Sequence, residues 1–253
     1  MSTTSTAETT ESSAAKASAP SASSASPEPE ELSRVDSREE ARRERIERRQ
    51  AQILEAAARI MYDTGFHGMS MQAVAERAGM SVGLIYQYFA GKDEVLEAVI
   101  VEILDDFRVL VPAAMDAAGE DPEQRLRAGF AAFCKVIDAR REAALLAYRE
   151  SQTLSPQGRA KVTRMEEETT EPFREAVRAG TATGQFRAVS PELVAHNLKM
   201  AAHAWALKHW ALAPHLSLDE YIEAEIDLTL SAIRAERIPS SSGGLKGRSR
   251  SGR

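Results

Sequence analysis

The fold is decided by the stretch Ile53–Val99, ILEAAARIMYDTGFHGMSMQAVAERAGMSVGLIYQYFAGKDEVLEAV. Apolar residues recur at three- and four-residue spacing at its start, which predicts a helix with one buried face. Gly65 is placed to end that helix, and Ser70 is placed to cap a second one. The turn Gly79–Ser81 then leads into a third helix, predicted over Val82–Phe89. Two short helices joined by a tight glycine turn indicate a helix-turn-helix, a motif whose second helix enters the major groove of DNA.

The third helix has a polar face that fits nucleic acid. Gly83 lies inside it, where glycine costs roughly 1 kcal/mol relative to alanine, so a bare backbone there favours close approach to a ligand. Tyr86 and Tyr88 carry hydroxyls suited to phosphate oxygens, and Gln87 can pair with an adenine edge. Lys92, just beyond, is placed for a phosphate. The alternative is an ordinary helical bundle with surface tyrosines. This alternative does not explain why the caps, the turn and the polar face all agree with a helix-turn-helix.

The segment from Arg48 to Val101 resembles the DNA-binding domain of the TetR family, with TGF, AERAGMSVG, YQYF and GKDEVL in the family's order. The resemblance implies an all-α homodimer, in which an N-terminal three-helix domain binds a palindromic operator and a helical C-terminal domain binds an inducer and dimerises. It also implies a set of DNA-contacting residues: Ser70, Ser81, Val82, Gly83, Tyr86, Gln87, Tyr88 and Lys92. Val82 and Leu84 are apolar where many members are polar or basic, and Gly91 replaces a small polar cap. The base preference of a relative therefore cannot be transferred.

Composition and charge are compatible with this interpretation. The chain has 253 residues, 43% of them hydrophobic, which is ample for a core. Its net charge is −6, but residues 42–92 hold eight basic and five acidic side chains, a local charge of +3. The single cysteine, Cys134, excludes an internal disulfide framework and suits a reducing cytoplasm, where we expect the protein. No apolar run reaches the roughly 18 to 20 residues that span a bilayer, so we expect no membrane partner.

The sequence predicts four segments. Residues 1–36 form a disordered leader, because their Ser, Thr, Ala, Pro and Glu cannot bury enough apolar surface to offset chain entropy. Residues 37–100 form the helix-turn-helix domain, residues 101–237 a helical ligand-binding and dimerisation domain, and residues 238–253 a disordered basic tail that adds nonspecific DNA affinity.

The basic entry segment, residues 37–50, opens the DNA-binding domain. Ser37 and Glu40 are spaced as a capping box, which predicts that a helix starts there. The Arg/Glu run is interpreted as a solvated extension of the first helix, supported by pairs such as Glu44 and Arg48. A second interpretation, compatible with the first, is an arm that reaches the minor groove or adjacent phosphates.

The body is predicted to be helical throughout, with eight to ten helices in the whole chain and no sheet. A long helix over about Lys92–Ala117 links the DNA-binding domain to the body. Capping signals then recur at Asp121-Pro122, Ser155-Pro156, Ser190-Pro191 and Ser217 with Glu220. Gly180 and Gly184 are predicted to end the helix that begins near Ser155.

The last two long helices predict a dimer. The segment 191–213 is apolar nearly all round and must be covered on more than one side, and a narrower apolar stripe follows from Leu218. The predicted interface residues are Leu198, Trp205, Ile222, Ile226 and Ile233. The alternative is a large monomeric core, which does not provide the two DNA-binding heads that a palindrome requires.

The middle helices offer an apolar lining for a small hydrophobic inducer. The motifs YRESQTL, GQFR and HAWALKHWAL resemble TetR-family regulators of fatty-acid or other acyl-CoA catabolism, which makes an acyl-CoA one candidate ligand. The predicted ligand-binding residues are Phe107, Phe130, Phe133, Tyr148, Arg149, Phe173 and His203. The alternative is that these aromatic and arginine residues serve only core and dimer packing.

We expect no enzyme, cofactor or metal site. His196 and His203 share a helix face with Lys199 and Trp210, but no carboxylate stands between them at ligand spacing. The sequence thus predicts a homodimeric, ligand-released repressor. The alternatives are an activator, a constitutive DNA-binding protein, and, in a different class, a helical enzyme fused to a DNA-binding domain.

Overall fold

A computed structural model describes the backbone of residues 29–235 and the side chains of residues 38–235. Residues 1–28 of the predicted leader, the last two residues of the predicted body and the basic tail lie outside the described residues. The chain divides into two units, residues 1–46 and 47–253. In the first unit the described residues are helical, and the side chains of residues 38–46 are exposed.

The described part of the chain is all-α, as predicted. Its helices are α1 Pro29–Gly68, α2 Met71–Ala78, α3 Val82–Ile85, α4 Lys92–Ala117, α5 Pro122–Ala139, α6 Arg141–Glu150, α7 Pro156–Ala182, α8 Pro191–Leu207, α9 His209–Leu212 and α10 Leu218–Ile233, with a 3₁₀ turn at Ser151–Thr153. Within residues 29–235 there is no strand, and extended residues pair only at an isolated bridge between Phe186 and Arg234.

Serine and aspartate caps lie where the sequence predicts them: Ser70, Ser81, Asp121, Ser155, Ser190 and Ser217. Each side-chain oxygen accepts a hydrogen bond from a backbone N–H of the first turn, a donor that the helix itself leaves free. Ser217 and Glu220 complete a capping box. The predicted long helix is confirmed as α4, which spans Lys92–Ala117.

The start of α1 differs from the prediction. The helix begins at Pro29 and runs through Ser37, so the leader does not extend to residue 36 and Ser37 does not cap a helix. Proline suits the first helical position, and the glutamates and arginines that follow favour a helix in water. The predicted break at Gly65 is confirmed, because that residue leaves helical geometry with φ 75° and ψ 165°.

Two further helix limits are corrected. The third helix was predicted over Val82–Phe89, but α3 ends at Ile85 and continues as a tightened turn. In this turn the N–H of Tyr88 donates to the carbonyl of Ile85 at 2.9 Å, a three-residue spacing. Gly180 does not end α7 either, since it lies inside the helix and is buried. A side chain at Gly180 would overlap the ring of Phe186, which occupies the space that a Cβ would need.

The core of the body is formed where α5 packs between α4 and α8, with α7 and α10 against it. Phe133 stacks on Phe107 from α4 with ring centroids 3.9 Å apart, and Phe173 from α7 meets Phe133 edge-on at 6.2 Å. Cys134 is buried here, as predicted, and burial raises the pKa of its thiol.

The predicted dimer residues are part of this core instead. Leu198, Trp205, Ile222, Ile226 and Ile233 are all buried within the single chain, so they are not available to a partner. The physical reason is that α8 and α10 turn their most apolar faces toward α5 and toward each other. An apolar stripe identifies a buried face but not which element buries it.

Candidate nucleic-acid interface and adjoining cavity

The turn between α2 and α3 sets the geometry of the first candidate site. Gly79 adopts the left-handed conformation with φ 64°, which a side chain would strain. Its N–H donates to the carbonyl of Glu76 at 3.2 Å, and the N–H of Met80 donates to the carbonyl of Ala75 at 2.9 Å. The chain is thereby reversed within three residues, and Ser81 starts α3 against α2.

The predicted DNA-contacting residues divide by exposure. Ser70, Ser81, Gly83, Tyr86 and Gln87 are exposed. No atom lies within 4 Å of the position that a Cβ on Gly83 would occupy, so the backbone there faces open space. This surface presents a hydroxyphenyl ring and a carboxamide beside bare backbone, the groups that reach phosphates and base edges.

The remaining predicted contacts are partly covered. Val82 and Tyr88 are half-buried and pack against the core. Lys92 is half-buried as well, with its Nζ 4.7 Å from the centre of the Phe66 ring. This cation–π contact holds the ammonium at the first residue of α4.

Glu94 is a residue of this surface that the sequence analysis missed. Its carboxylate accepts a hydrogen bond from the N–H of Ala90 at 2.5 Å. Gly91 contributes no side-chain cap to α4. The signal was an acidic residue three positions after Gly91, the spacing of half a capping box.

Four of the predicted ligand-binding residues, Phe107, Phe133, Tyr148 and His203, line one cavity of about 170 Å³ in the body. The stacked phenylalanines form an apolar floor, and the His203 ring lies 5.6 Å from that of Phe133. The rest of the lining is Ile100, Ile103, Leu104, Ala144, Ala147, Ser151, Glu166, Thr169, Lys199 and Met200. A mostly apolar cavity with a few polar groups is the usual form of a small-molecule site.

The polar end of the cavity carries two pairs of groups. The Tyr148 hydroxyl lies 2.7 Å from Nδ1 of His203, and Nζ of Lys199 lies 3.5 Å from a carboxylate oxygen of Glu166. Burial, and then the charge of Lys199, lower the pKa of His203 to about 4. Burial and the charge of Glu166 raise the pKa of Tyr148. The histidine–tyrosine pair is therefore uncharged at neutral pH.

The other three predicted ligand residues lie elsewhere. Phe130 and Phe173 are buried in the core and do not line the cavity. Arg149 is exposed and donates to the backbone carbonyl of Tyr62 at 3.4 Å. Glu166 was missed as a lining residue, whereas Lys199, on the same helix face as His203, lines the cavity with that histidine.

Helix α6 touches both the cavity and the helix-turn-helix domain. Ala144, Ala147 and Tyr148 line the cavity. At the start of α6, Glu142 forms an ion pair with Arg59 of α1. At its end, Glu150 accepts a hydrogen bond from the N–H of Phe66 at 3.4 Å. One short helix thus connects the cavity wall with the helix-turn-helix domain.

A groove of about 740 Å³ separates α1 from the body beside α6. Tyr62 forms one wall and Trp210 of α9 the other, with the Trp210 side chain 78% exposed. The second tryptophan, Trp205, is buried behind the groove, and its indole N–H donates to Asp138 at 2.8 Å.

Two kinds of feature are absent from the described residues. No helix in residues 29–235 is long and apolar enough to cross a bilayer. The same residues contain no cluster of three or more histidine, cysteine or acidic side chains arranged to hold a metal ion.

Comparison with known families gives two matches. Residues 53–99 match the model of bacterial regulatory proteins of the tetR family, and residues 119–228 match a tetracyclin repressor-like C-terminal domain. The chain is also similar to the HTH-type transcriptional regulator HbdR of Aromatoleum sp. (strain CIB). The two are 36% identical over 178 residues, which cover 70% of this chain and 77% of HbdR.

Solved structures share the fold. PfmR, a TetR family transcriptional regulator from Thermus thermophilus, superposes with a TM-score of 0.64 at 24% identity, covering 71% of this chain and 97% of that one. AibR, solved in complex with isovaleryl coenzyme A and operator DNA, gives a TM-score of 0.63 at 23% identity, covering 71% and 97%.

Proposed function

Because the chain belongs to the tetR family of bacterial regulatory proteins, and is therefore a transcriptional regulator with a DNA-binding domain, we propose that it acts as a homodimeric repressor. In this proposal two heads bind a palindromic operator, and a small hydrophobic ligand in the body releases them. The observation that carries it is the exposed face at Gly83, Tyr86 and Gln87, held in place by the capped helices α2 and α3.

The DNA contacts follow from this face. Gln87 is exposed on the tightened turn after α3, where it reads a base edge. Tyr86 and Lys92 bind phosphates, with the ammonium fixed over Phe66 before DNA arrives. Ser70 and Ser81 keep their hydroxyl hydrogens for phosphate oxygens while their oxygens cap helices.

The dimer forms through the outer faces of α8 and α10. Large apolar side chains remain exposed there, at Leu193 on α8 and at Leu228 on α10. Asn197 and Ala224 are exposed beside them at helical spacing. Exposed apolar side chains on neighbouring helices favour a partner with the same surface, which a twofold axis supplies.

The ligand occupies the cavity at Phe107, Phe133, Tyr148 and His203. AibR, which shares the fold, was solved with isovaleryl coenzyme A, and this supports an acyl-CoA or a related small molecule as the ligand. Activation of transcription and constitutive DNA binding remain the alternatives, and both keep the DNA-binding surface unchanged.

Selection from a random duplex library tests the proposal. The full chain should enrich an inverted repeat, and binding should weaken steeply with salt because basic side chains release counterions from DNA. Gln87→Ala should relax the choice at one position of each half-site, at a cost of about 1 to 3 kcal/mol for the preferred base. The matched control is Gln157→Ala, an exposed glutamine on α7, which should leave selection unchanged.

Failure to enrich any sequence over random DNA contradicts the proposal. Equal loss of affinity for all duplexes in Gln87→Ala moves that residue to the phosphate-contacting class. If a single half-site is enriched instead of an inverted repeat, the dimeric form of the proposal is wrong.

A further inference from the structure

The size of the cavity limits what it can hold. An apolar cavity of about 150 Å³ accommodates a molecule of benzene size. The cavity over Phe107 and Phe133 has about 170 Å³. An apolar group of roughly six carbon atoms therefore fills it, and a long alkyl chain does not fit.

Lys199 and its ion-pair partner Glu166, in the polar wall of the cavity, differ in exposure to solvent. Its side chain is 19% exposed, whereas the side chain of its partner Glu166 is 49% exposed. Glu166 can turn into water at little cost, but the ammonium of Lys199 cannot follow it without leaving the wall. When Glu166 turns away, the Lys199 ammonium loses this partner, and a ligand oxygen can take the place of the carboxylate.

Two other polar residues of the cavity lining, Tyr148 and His203, carry no charge at neutral pH. Tyr148 and His203 are hydrogen-bonded to each other at 2.7 Å, and the low pKa of His203, near 4, keeps its ring neutral. Among the residues that line the cavity, Lys199 carries the positive charge. It attracts an oxygen with negative or partial negative charge.

Lys199 and Glu166 also line a second cavity of about 160 Å³. Its other walls are polar: Thr163, Thr170, Arg174 and His196, together with the acidic residues Glu167 and Glu192. Arg174 is already bonded to Glu171 at 2.7 Å. The Lys199–Glu166 pair thus separates an apolar chamber from a polar one, and a ligand that displaces Glu166 has room for a polar continuation.

We propose that the cavity selects a short acyl group, with about six carbons over the phenylalanines and a carbonyl or carboxylate oxygen bonded to Nζ of Lys199 in place of Glu166. The inference rests on the proposed function, because it names the ligand class of the same repressor. Free carboxylates and coenzyme A thioesters share this chemistry. The two ligands differ in what enters the polar chamber: water accompanies a free carboxylate, and the continuation of the thioester accompanies a coenzyme A ester.

Calorimetric titration of the full chain without DNA tests this inference. The probes are hexanoate, hexanoyl-CoA and hexan-1-ol, which has the same chain but no acyl oxygen. At least one acyl probe should bind more than tenfold tighter than hexan-1-ol. The probe that does so shows whether the ligand is a free carboxylate or a coenzyme A thioester. Lys199→Met should remove this preference, and Lys199→Arg should retain it. The matched control is Lys135→Met, an exposed lysine on α5, which should bind like the unaltered chain.

A second variant is expected to gain affinity, a result that a folding defect does not produce. Glu166→Gln removes the competing carboxylate, so it should tighten acyl binding several-fold. Equal affinity for hexan-1-ol, an acyl preference that persists in Lys199→Met, or weaker acyl binding in Glu166→Gln overturns the inference. So does the absence of acyl binding to folded protein. None of these outcomes alters operator selection, so failure here is distinguishable from failure of the repressor proposal.

Discussion

At the scale of the residue, the surroundings of His203 set the charge state of its ring. Its ring lies among Phe107, Phe133 and Tyr148, and the charged groups at the same cavity wall are Lys199 and Glu166. Burial and the lysine lower its pKa to about 4, against 6.5 for the ordinary side chain. The unfolded chain therefore binds a proton on this residue at a higher pH than the folded chain does.

Stability should consequently fall on acidification. The contribution of neutral His203 is fully present above about pH 6.5 and is lost as the pH falls toward 4. Between pH 7 and pH 5, urea denaturation should show a loss of about 2 kcal/mol that is absent in His203→Gln. His196→Gln, an exposed histidine of the same helix, should lose as much stability as the unaltered chain. An identical pH profile in His203→Gln contradicts the low pKa.

Residues whose role is set locally were predictable from the sequence. Ser70 and Ser81 cap helices because each binds a backbone N–H three positions along the chain. Glu166 as a cavity residue was not predictable, because its position in the wall depends on α7 and α8 packing side by side. The prediction that Arg149 binds the ligand was wrong for the same reason, since its hydrogen-bond partner Tyr62 lies in another domain.

At the scale of the element, Gly180 and Phe186 fix the end of α7. The ring of Phe186 lies against the glycine, and it is buried. Gly180→Ala should destabilise the protein by about 1 to 3 kcal/mol, because the ring must move out of a packed site. Thermal or urea unfolding measures this. The control is Gly83→Ala, which meets no neighbour within 4 Å and should unfold no more easily than the unaltered chain.

If Gly180→Ala is as stable as the unaltered chain, Phe186 has a second position of equal energy and the packing argument is wrong. The ends of helices were predicted correctly where a local turn sets them, as at Gly65 and Gly79. They were missed where packing against another part of the chain sets them. Gly180 reads as a helix end from sequence alone, since glycine is common there. Only the fold places an aromatic ring against it.

At the scale of the whole molecule, α4 runs from the helix-turn-helix domain to the cavity that Phe107 lines, and in the proposed dimer it joins each head to its own cavity. Two heads bind both half-sites only when their separation matches about one turn of DNA, roughly 34 to 36 Å or a multiple. A ligand releases DNA by binding the form with the wrong spacing more tightly. Operator DNA must then weaken ligand binding by the same factor that ligand weakens DNA binding.

Titration of hexanoyl-CoA with and without saturating operator tests this coupling. The expected result is a loss of ligand affinity on the operator of roughly 5- to 150-fold, the usual range for coupled sites. A duplex of random sequence at low occupancy serves as the control and should leave the affinity unchanged. Equal affinity in both titrations contradicts release by this route. The dimer stays a prediction, and the interface residues first named for it are wrong, because those faces of α8 and α10 are buried within the single chain.

Trp210, on the wall of the groove opposite Tyr62, is an intrinsic fluorescent probe of that groove. The chain has two tryptophans, of which Trp205 is buried and hydrogen-bonded to Asp138. Trp210 is open to water on the groove wall. Iodide therefore quenches the emission of Trp210 and spares that of Trp205. If the helix-turn-helix domain moves against the body, as the proposed release requires, the quenchable fraction should change, and the unlabelled protein would report this motion by its own fluorescence.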